Sequence, residues 1–445
     1  MSAENKTYVV SRKYQLHIDG DKEEVNRVYQ YLRDAIYNQN KAYNILISHV
    51  YAAIYSGKST EEINEIYKRG KRKPKEDNPE YSLYKFGEIN FPVGVPIASS
   101  VGMMVKDGIK KAKADGLFKG QSSLPNRQLD APLRIESQCF SFYYEQENYP
   151  DFLDDLFHGE PKVHMKFVNG IHFSVVFGNP HKSHEMRCVF QNIFEEKYRV
   201  LGSSIQIDGN KIILNLSLEM PKQQIELDEN IVVGVDLGLA IPAMCSLNTN
   251  NYVRLPIGSY DDFARVRTRI QAQKRRLQKS LKMSNGGHGR KKKLKPLDRF
   301  TEYEKHWVET YNHKVSKMVV DFALKNRAKY INMEDLTGFD TSQFLLRNWS
   351  YYQLQSYITY KAEKYGIIVR KVNPAYTSQT CSCCGFVSAE NRPKQEKGQA
   401  YFKCVKCGVE LNADFNGSQN IARSTDFTDG TKSKSNATKP KKIVV

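Results

Sequence analysis

The chain of 445 residues has a mass of 51.2 kDa, a size typical of about three domains. It carries 67 Lys and Arg against 49 Asp and Glu, a net charge of +18, and 40% of its residues are hydrophobic, which excludes a wholly disordered chain. Its apolar runs are too short to cross a bilayer and its N-terminus lacks a signal-peptide pattern, so we expect a soluble intracellular protein with no membrane partner. The positive excess favours nucleic acid as a partner, because Lys and Arg that neutralise phosphates release counterions. The alternative is a basic protein whose charge only keeps it solvated.

The first half of the chain is predicted to hold a helical region and a β-rich region. Residues 7–18 alternate like a strand, while residues 21–56 and 97–115 place apolar side chains at helical spacing. Between residues 130 and 220, short strand-like runs are separated by Gly, Asn, Asp and Pro turns, which predicts a small β-barrel or sandwich. Residues 221–230 are predicted to be a linker.

The second half is predicted to mix strands and helices. The predicted elements are, in order, strands at 231–236, 243–248 and 252–256, a highly basic helix at 265–282, a flexible break at 285–289, a helix at 302–329, a strand at 330–334, a helix at 350–365, a strand at 367–372 and a final helix at 414–423. Without the inserts the order is β-β-β-α-β-α-β-α, which is that of the ribonuclease-H fold. Residues 424–445 are polar and rich in Lys, so we expect them to be disordered.

Three carboxylates occupy separated positions that this topology would bring together. Asp236 ends the first strand of the second half, Glu334 ends the fourth, and Asp414 opens the last helix. Three converging acids would repel one another unless they bind cations. Mg²⁺ prefers such oxygen ligands, and two such ions can activate a water and stabilise the leaving oxygen of a phosphodiester. Taken singly, each acid is more simply an ordinary strand-end or helix-cap residue.

The segment IVVGVDLG, which contains Asp236, also fits another class of protein. It is similar to the phosphate-binding strand of actin-like ATPases, in which Gly238 would approach a nucleotide. That interpretation requires a second such loop downstream, and the sequence offers none.

Five of the eight cysteines fall within residues 381–407. Two C-x₂-C pairs lie 19 residues apart, and a glycine follows each pair. Thiolates at this spacing close a tetrahedral Zn²⁺ site, and with no open position the zinc would be structural. An intracellular disulfide framework is disfavoured, and free thiols are the remaining alternative. The predicted ligands are Cys381, Cys384, Cys404 and Cys407, with Cys383 as a possible substitute.

Residues 265–299 hold 14 Lys and Arg against one acid, Asp298. A run of one sign repels itself unless it lies beside a phosphate backbone, so we expect nucleic-acid contact here; an exposed basic loop is the alternative. The aromatic residues between 349 and 360 are expected to be mostly core, with some able to stack on bases. The candidate contacts in the basic run are Arg275, Arg276, Arg290, Lys291 and Lys292.

Several motifs resemble those of type V CRISPR RNA-guided endonucleases and their transposon-encoded TnpB relatives. VGVDLG, INMEDLTGF and NADFNGSQNIA resemble the three RuvC motifs, and the paired C-x₂-C module resembles the zinc element between them. GGHGRKKKLKP, FLLRNWSYYQLQ and NPAYTSQTC are similar to the miniature V-F subtype in particular. The N-terminal half is similar in layout only.

The resemblance implies a multidomain α/β fold. An RNase H-like RuvC nuclease domain with a zinc-ribbon insert would follow a β-barrel wedge domain that carries a helical recognition insert. The implied bounds are a first wedge strand at 1–20, a helical recognition domain at 21–125, the β-rich wedge at 126–220, a linker at 221–230, the nuclease domain at 231–375 and 412–423, the zinc-binding, target nucleic-acid-binding module at 376–411, and a disordered basic tail at 424–445.

The resemblance also implies an activity and partners. The chain would use a guide RNA to cleave target double-stranded DNA beside a T-rich flanking motif, in the cytoplasm of a prokaryotic cell as antiviral defence. Asp236, Glu334 and Asp414 would be the catalytic carboxylates that bind Mg²⁺ or Mn²⁺, and Arg423 would contact the scissile strand. Two copies of the chain would share one guide. Our own candidates for the contact between the copies are the N-terminal helices at 21–56 and 97–115. The alternatives are a TnpB nuclease guided by RNA from a transposon end and a non-cleaving regulator on the same fold.

Overall fold

The computed structural model describes residues 6–59, 62, 95–144, 162–179, 183–238, 241–283, 290–335, 351–393 and 400–428. The predicted break at 285–289 and most of the predicted tail lie outside these residues. The chain divides into two units, Met1–Pro221 and Lys222–Val445. Among the described residues, no helix combines the length and the apolar character that a membrane span requires.

The first unit is built on an antiparallel sheet of eight strands. In space the strands run β2-β7-β8-β1-β5-β4-β3, and β6 pairs with β8. Buried and less buried side chains alternate along β8, so one face of the sheet covers the core. The strands are β1 Thr7–Ile18, β2 Leu133–Ile135, β3 Phe140–Tyr144, β4 Val163–Phe167, β5 His172–Val176, β6 Arg199–Val200, β7 Ser203–Asp208 and β8 Lys211–Pro221.

The β-rich region differs from the predicted barrel in two respects. Among the described residues the end strands β2 and β3 do not pair with each other, so the sheet is not closed by hydrogen bonds. A helix that we did not predict, α3 at His184–Phe194, lies within this region. Its Phe190 packs edge-on against Tyr14 of β1, with ring centroids 5.0 Å apart, so the helix contributes to the core that the sheet covers.

Two long helices complete the first unit, α1 at Lys22–Tyr55 and α2 at Val95–Ala114. Asp21 caps α1 by accepting a hydrogen bond from the Glu24 amide. The first half of α1 packs on the sheet, where Leu32 is buried, and the second half packs on α2, where Leu46 is buried. The two predicted N-terminal helices are therefore present, within two residues of their predicted ends.

The second unit contains a five-stranded mixed sheet. In space the strands run β11-β10-β9-β12-β13. The first three strands along the chain are antiparallel, whereas β12 is parallel to both β9 and β13. The carboxyl ends of β9 and β12 therefore lie at the same edge of the sheet. The strands are β9 Asp228–Asp236, β10 Ala243–Leu247, β11 Arg254–Ile257, β12 Ala328–Glu334 and β13 Ile368–Val372.

Helices cover both faces of this sheet. Val319 and Ile358, from two different helices, join the core on one face. On the other face the last helix crosses β9 at Gly234, where a Cβ would lie 2.8 Å from the Cα of Ala422. The helices are α4 Tyr260–Met283, α5 Arg290–Lys325, α6 Tyr351–Glu363 and α7 Ala413–Arg423, and a small hairpin of β14 Tyr401–Lys403 and β15 Glu410–Asn412 precedes α7.

The bounds of α4, α5 and the linker differ from the predicted ones. Helix α4 begins at Tyr260, five residues before its predicted start. Helix α5 begins twelve residues before the predicted start and ends at Lys325 rather than Lys329. It stops because Arg327 turns the chain with φ +53° and accepts a hydrogen bond from the Asp228 amide, so β12 begins at Ala328. The predicted linker at 221–230 is shorter, since β8 extends to Pro221 and β9 begins at Asp228.

The start of the predicted disordered tail is ordered against the sheet. Phe427 forms an antiparallel bridge with Val372 of β13, and the Thr428 amide donates to the Lys371 carbonyl at 3.0 Å. The Thr428 hydroxyl donates to Oδ2 of Asp335 at 2.8 Å. Residues 424–428 therefore extend the sheet at its β13 edge, where unpaired backbone groups are available.

Candidate active site and metal centre

Asp236 and Glu334 are neighbours because the strands that end with them are parallel and adjacent. Met333 pairs with Val235, so each acid follows directly on a paired position. Loss of hydration and then the negative charges of Glu334 and Asp414 raise the pKa of Asp236 well above its usual value. Loss of hydration also raises the pKa of Glu334. Asp236 therefore interacts electrostatically with both of the other acids.

Asp414 joins the pair because α7 lies unusually close to β9. The helix begins after Asn412, whose side chain accepts a hydrogen bond from the Phe415 amide, and Asp414 falls in its first turn. A Cβ on Gly417 would lie only 2.5 Å from Oδ2 of Asp236, so only glycine allows this approach. Burial raises the pKa of Asp414, and its Oδ2 is buried without a hydrogen-bond partner among the described residues.

Glu334 is oriented from two sides by residues outside its own strand. The Thr377 hydroxyl donates a hydrogen bond to its Oε1, and the Gln355 side chain of α6 donates to its backbone carbonyl at 2.8 Å. The adjacent Asp335 has different partners: it accepts from Thr428 and lies 4.0 Å from the Lys371 ammonium. The two consecutive acids thus have separate environments, and of the two it is Glu334 whose charge raises the pKa of Asp236.

Two residues at this site were missed by the sequence analysis. The positive charge of Arg392 lowers the pKa values of Asp236 and Asp414 against the raising effects of burial. The pKa of Tyr351, the first residue of α6, is raised by loss of hydration and then by the charges of the same two aspartates. Tyr351 was predicted only as a helical aromatic residue between 349 and 360 and as part of FLLRNWSYYQLQ, and Arg392 lies in no motif that the sequence analysis used. Thr377 lies in NPAYTSQTC, which was noted as a resemblance.

Arg392 is held in place by the residue before it. Asn391 is fully buried, its amide donates to the Gln379 carbonyl at 2.8 Å, and its side-chain oxygen accepts from the Val405 amide at 3.0 Å. This network fixes the backbone from which Arg392 extends. Arg392 belongs to the cysteine-containing module, which we define as residues 376–411. That module therefore supplies a positive charge to the carboxylate cluster.

The carboxylate cluster has the chemistry of a divalent-cation site. Its donors are hard oxygens, their mutual repulsion is only partly offset by Arg392, and one buried oxygen of Asp414 has no described donor. Among the described residues only the four cysteines below bring three or more ligand atoms within 4.8 Å of one another, so the acids form a looser group. The residues present fit oxygen-coordinated metal ions such as Mg²⁺ or Mn²⁺.

The four predicted cysteines form the tighter group. The sulfurs of Cys381, Cys384, Cys404 and Cys407 all lie within 4.8 Å of one another. The Cys381–Cys407 and Cys384–Cys404 sulfur pairs are 3.7 and 3.6 Å apart. Four thiolates on a tetrahedral zinc with Zn–S bonds of about 2.3 Å would be ~3.8 Å apart, so the arrangement fits that ion. Cys383 is exposed and outside the group.

The two cysteine pairs lie in two turns of the same type. The amide of Gly385 donates to the Cys381 carbonyl at 2.8 Å, and the amide of Gly408 donates to the Cys404 carbonyl at 2.9 Å. Both glycines have positive φ, +72° and +75°, which other residues rarely adopt. Burial raises the pKa of the Cys404 thiol, but hydrogen bonds from the backbone N–H groups of Cys407 and Lys406 and from the Cys384 and Cys407 thiols together lower it to about 7.

Helix α7 connects the cysteine-containing module to the carboxylates. Asn416 donates to the Thr380 carbonyl at 2.8 Å and accepts from the Ser382 amide at 2.9 Å. Arg423 donates to the Ser382 carbonyl at 2.6 Å and to the side chain of Asn251. Arg423, which we predicted to contact the scissile DNA strand, thus forms hydrogen bonds within the protein. These bonds join the first cysteine turn to the end of α7.

The remaining candidate contacts lie on the helical hairpin of α4 and α5. Arg275 and Arg276 are exposed on α4. Arg290, Lys291 and Lys292 form the first turn of α5, and their side chains lie outside the described residues. The structure therefore leaves the predicted basic surface available on α4.

Comparison with known proteins points to one family. A family model described as Cas12f1-like, TNB domain matches residues 351–421. The CRISPR-associated endodeoxyribonuclease Cas12f1 of Sulfoacidibacillus thermotolerans is 35% identical over 318 residues, which are 70% of this chain and 73% of that protein. The Cas12f1 of Syntrophomonas palmitatica is 28% identical over 331 residues, which are 70% of this chain and 63% of that protein.

Two further similarities concern a transposon-type relative and the fold. A TnpB-like protein of Methanocaldococcus jannaschii is 33% identical over 164 residues, which are 35% of this chain and 52% of that protein. A chain in a cryo-EM structure of a Cas12f1–sgRNA–target DNA complex is 18% identical, with a TM-score of 0.69 over 95% of this chain and 100% of that one. At that identity the structural similarity establishes a shared fold.

Proposed function

The chain belongs to the CRISPR-associated Cas12f1 family of DNA endonucleases, and we propose that it hydrolyses DNA, under the direction of a guide RNA, at Asp236, Glu334 and Asp414. The membership confirms the resemblance of its motifs to miniature type V nucleases. The observation that carries the proposed site is the convergence of three acids with raised pKa values at one edge of the sheet, beside a buried and unpartnered oxygen of Asp414.

The sheet of the second unit supports an RNase H-like, RuvC-type nuclease domain. Its spatial order of strands is 3-2-1-4-5, with strands 2 and 3 antiparallel and strands 4 and 5 parallel to strand 1. Two carboxylates at the ends of strands 1 and 4 and a third in the last helix follow from this order. The cysteine-containing module is inserted between strand 5 and that helix.

In this reaction the three carboxylates would hold Mg²⁺ or Mn²⁺. Bound divalent ions would lower the pKa of the attacking water and offset charge on the leaving oxygen. Thr377 keeps one oxygen of Glu334 oriented, and Gly417 admits Asp236 beside α7. Arg392 lowers the pKa of Asp236 and Asp414, and we expect its guanidinium to contact the scissile phosphate once cations neutralise these acids.

The four cysteines would hold a structural Zn²⁺. The near-tetrahedral sulfur spacing supports this, and four thiolates leave no open position for a substrate. The ion would stabilise the fold of the module that carries Arg392. Its role in catalysis is therefore to position that arginine and the adjoining end of α7.

The partners follow from the family and from the charge of the chain. The related Cas12f1 complex contains an sgRNA and target DNA, and a net charge of +18 favours binding to both. The guide would read the target, while the protein reads a short, T-rich flanking motif, in the cytoplasm of a prokaryotic cell. Two chains would share one guide, and exposed Tyr37 and Met103 mark the surfaces of α1 and α2 available for that contact.

A TnpB-type nuclease is the second candidate, because the TnpB-like relative is 33% identical over 164 residues, which are 35% of this chain. Both candidates use the same carboxylates and differ in the origin of the guide. Sequencing the RNA that co-purifies with the chain distinguishes them: a repeat-derived guide supports the CRISPR role, and RNA from a transposon end supports the other. A non-cleaving regulator is a third possibility, and the cleavage test below decides it.

The deciding experiment separates cleavage from binding. Asp236→Ala, Glu334→Ala and Asp414→Ala, each as the RNA-bound complex, should abolish Mg²⁺-dependent cleavage of matched DNA while leaving affinity for that DNA nearly unchanged, because base pairing and phosphate contacts supply the affinity. Glu229→Ala is the matched control, since it removes the same charge from the exposed opposite end of β9. Wild-type cutting by Asp236→Ala, or joint loss of binding and cutting, would refute the site.

A further inference from the structure

Helices α4 and α5 form a hairpin next to the edge of the sheet where Asp236 lies, which we call the active-site edge. Met244 of β10 pairs with Asp236, and its neighbour Ala243 pairs with Ile257, so β11 ends at the edge where Asp236 lies. Helix α4 starts three residues later, and α5 returns to the same place, where the Tyr311 hydroxyl accepts a hydrogen bond from the Ser259 amide at 3.3 Å. The far part of the hairpin extends beyond the edge.

Side chains join the two helices near the sheet, and a cleft lies between side chains of both helices farther out. Phe263 packs on Trp307 with ring centroids 4.9 Å apart, and Arg267 pairs with Glu304 at 2.9 Å. Beyond Glu304 the hairpin contains a cleft of about 650 Å³, within the size range of small-ligand sites. The residues that line it include Arg269, Ile270, Pro296, Arg299, Phe300 and Tyr303.

The lining combines an apolar floor with a cationic rim. Ile270 is buried and Phe300 is half-buried, while the Tyr303 ring is 51% exposed and therefore open to a partner. Arg269 and Arg299 are exposed, and neither forms an ion pair with a described residue. A planar apolar group that carries a phosphate matches this lining, because the ring can stack on tyrosine while the phosphate meets a guanidinium.

We propose that this cleft binds one unpaired nucleotide of the DNA strand that enters the carboxylate site. The charge of the hairpin supports the choice of a nucleic acid, since 14 Lys and Arg face one acid over residues 265–299. Its position supports the choice of the cut strand: Tyr303 lies eight residues, or ~12 Å along α5, from Tyr311 at the active-site edge. A strand whose phosphodiester lies at Asp236 would reach the cleft within a few nucleotides. This inference rests on the proposed nuclease function.

The test compares two single-stranded probes of equal charge and length, oligodeoxythymidine and an abasic oligomer of the same backbone. The full-length chain with Asp236→Ala keeps the probes uncut, and fluorescence anisotropy measures its affinity for each. Stacking should make thymidine bind about tenfold more tightly than the abasic probe. Tyr303→Ala should remove that difference, and Tyr303→Phe should restore it. Tyr252→Ala, at a tyrosine that is 91% exposed elsewhere in this unit, is the matched control and should change nothing.

The rim makes a different prediction, which separates charge from stacking. Arg299→Gln should lower the affinity for both probes equally. Lys305→Gln, which removes one charge from the same helix outside the cleft, should lower it less. The proposal is overturned if Tyr303→Ala leaves the preference for the thymidine probe intact, or if it lowers the affinity for both probes by the same factor.

Photocross-linking tests whether the nucleotide in the cleft belongs to DNA or to RNA. An oligomer with 5-iododeoxyuridine should cross-link to the peptide that contains Tyr303, and the corresponding RNA oligomer should do so more weakly; a preference for RNA would overturn the assignment to DNA. Because these readouts require no cleavage, they stand apart from the proposed function, which would fail if Asp236→Ala cut DNA at the wild-type rate.

Discussion

Gly417 of α7 lies directly over the carboxylate of Asp236, and a Cβ at this glycine would be 2.5 Å from Oδ2 and 3.4 Å from Cγ. The backbone of the last helix is therefore one wall of the active site. The helix carries Asp414 in its first turn, so the same close approach determines how far apart Asp236 and Asp414 lie.

Gly417→Ala should displace Asp236 or α7 and reduce the cleavage rate about 100-fold, because a misplacement of ~1 Å at a catalytic centre has an effect of that size. Affinity for matched DNA should be nearly unchanged. Gly102→Ala is the control: it lies within α2 with nothing within 4 Å of the added Cβ, and it should cut normally. A wild-type cleavage rate for Gly417→Ala would show that the helix can move away without consequence.

Cys404→Ser should lower the zinc content below one ion per chain and destabilise the module, since a structural zinc contributes folding free energy directly. Cys383→Ser is a closely matched control, because Cys383 is exposed and outside the group of four sulfurs. It should retain one zinc and the wild-type melting temperature. Elemental analysis of the two proteins provides the measurement, and loss of zinc from Cys383→Ser alone would reassign the ligand.

The carboxylates should make the cation-free protein less stable as pH rises. The native pKa of Asp236 is raised above its usual 3.8, so between those two values the native state holds more protons than the unfolded state. Unfolding free energy therefore decreases with pH in that range, by about 1.4 kcal/mol for each tenfold change in the acid constant. Urea unfolding without added Mg²⁺ should show a larger loss from pH 5 to pH 8 for the wild type than for Asp236→Asn.

Added Mg²⁺ should reverse part of that loss at pH 8, because a cation bound to the native acids replaces the missing protons. The same addition should do little for Asp236→Asn. Equal pH slopes in the two proteins would indicate that Asp236 is not the group that burial and its acidic neighbours perturb.

Truncation should distinguish the ordered start of the tail from the rest. A chain that ends at Thr428 should melt like the full-length protein. A chain that ends at Arg423 loses the Phe427–Val372 bridge and leaves Asp335 without its hydroxyl donor, which should cost about 1–3 kcal/mol of stability. Thermal unfolding compares the two, and identical melting temperatures would mean that residues 424–428 contribute nothing to the sheet.

Sequence alone was sufficient wherever a local pattern carries the information. The spacing of the two C-x₂-C pairs and the glycine after each predicted which four sulfurs lie together, because each turn is closed by hydrogen bonds within five residues. Short apolar runs, separated by turns or helices, predicted all five strands of the second sheet. Their order along the chain also indicated that Asp236 and Glu334 would share an edge, since neighbouring parallel strands end on the same side.

Tertiary structure decided the features that depend on residues far apart in the chain. Thr377 reaches Glu334 across 43 positions, and Arg392 acts on Asp236 across more than 150, so no local period marks either residue. The different environments of Glu334 and Asp335 also depend on tertiary structure. Asp335 accepts a hydrogen bond from Thr428, which lies in a segment expected to be disordered. Polarity and charge are visible in a sequence, but the partner that satisfies a buried charge is chosen only when distant segments pack together.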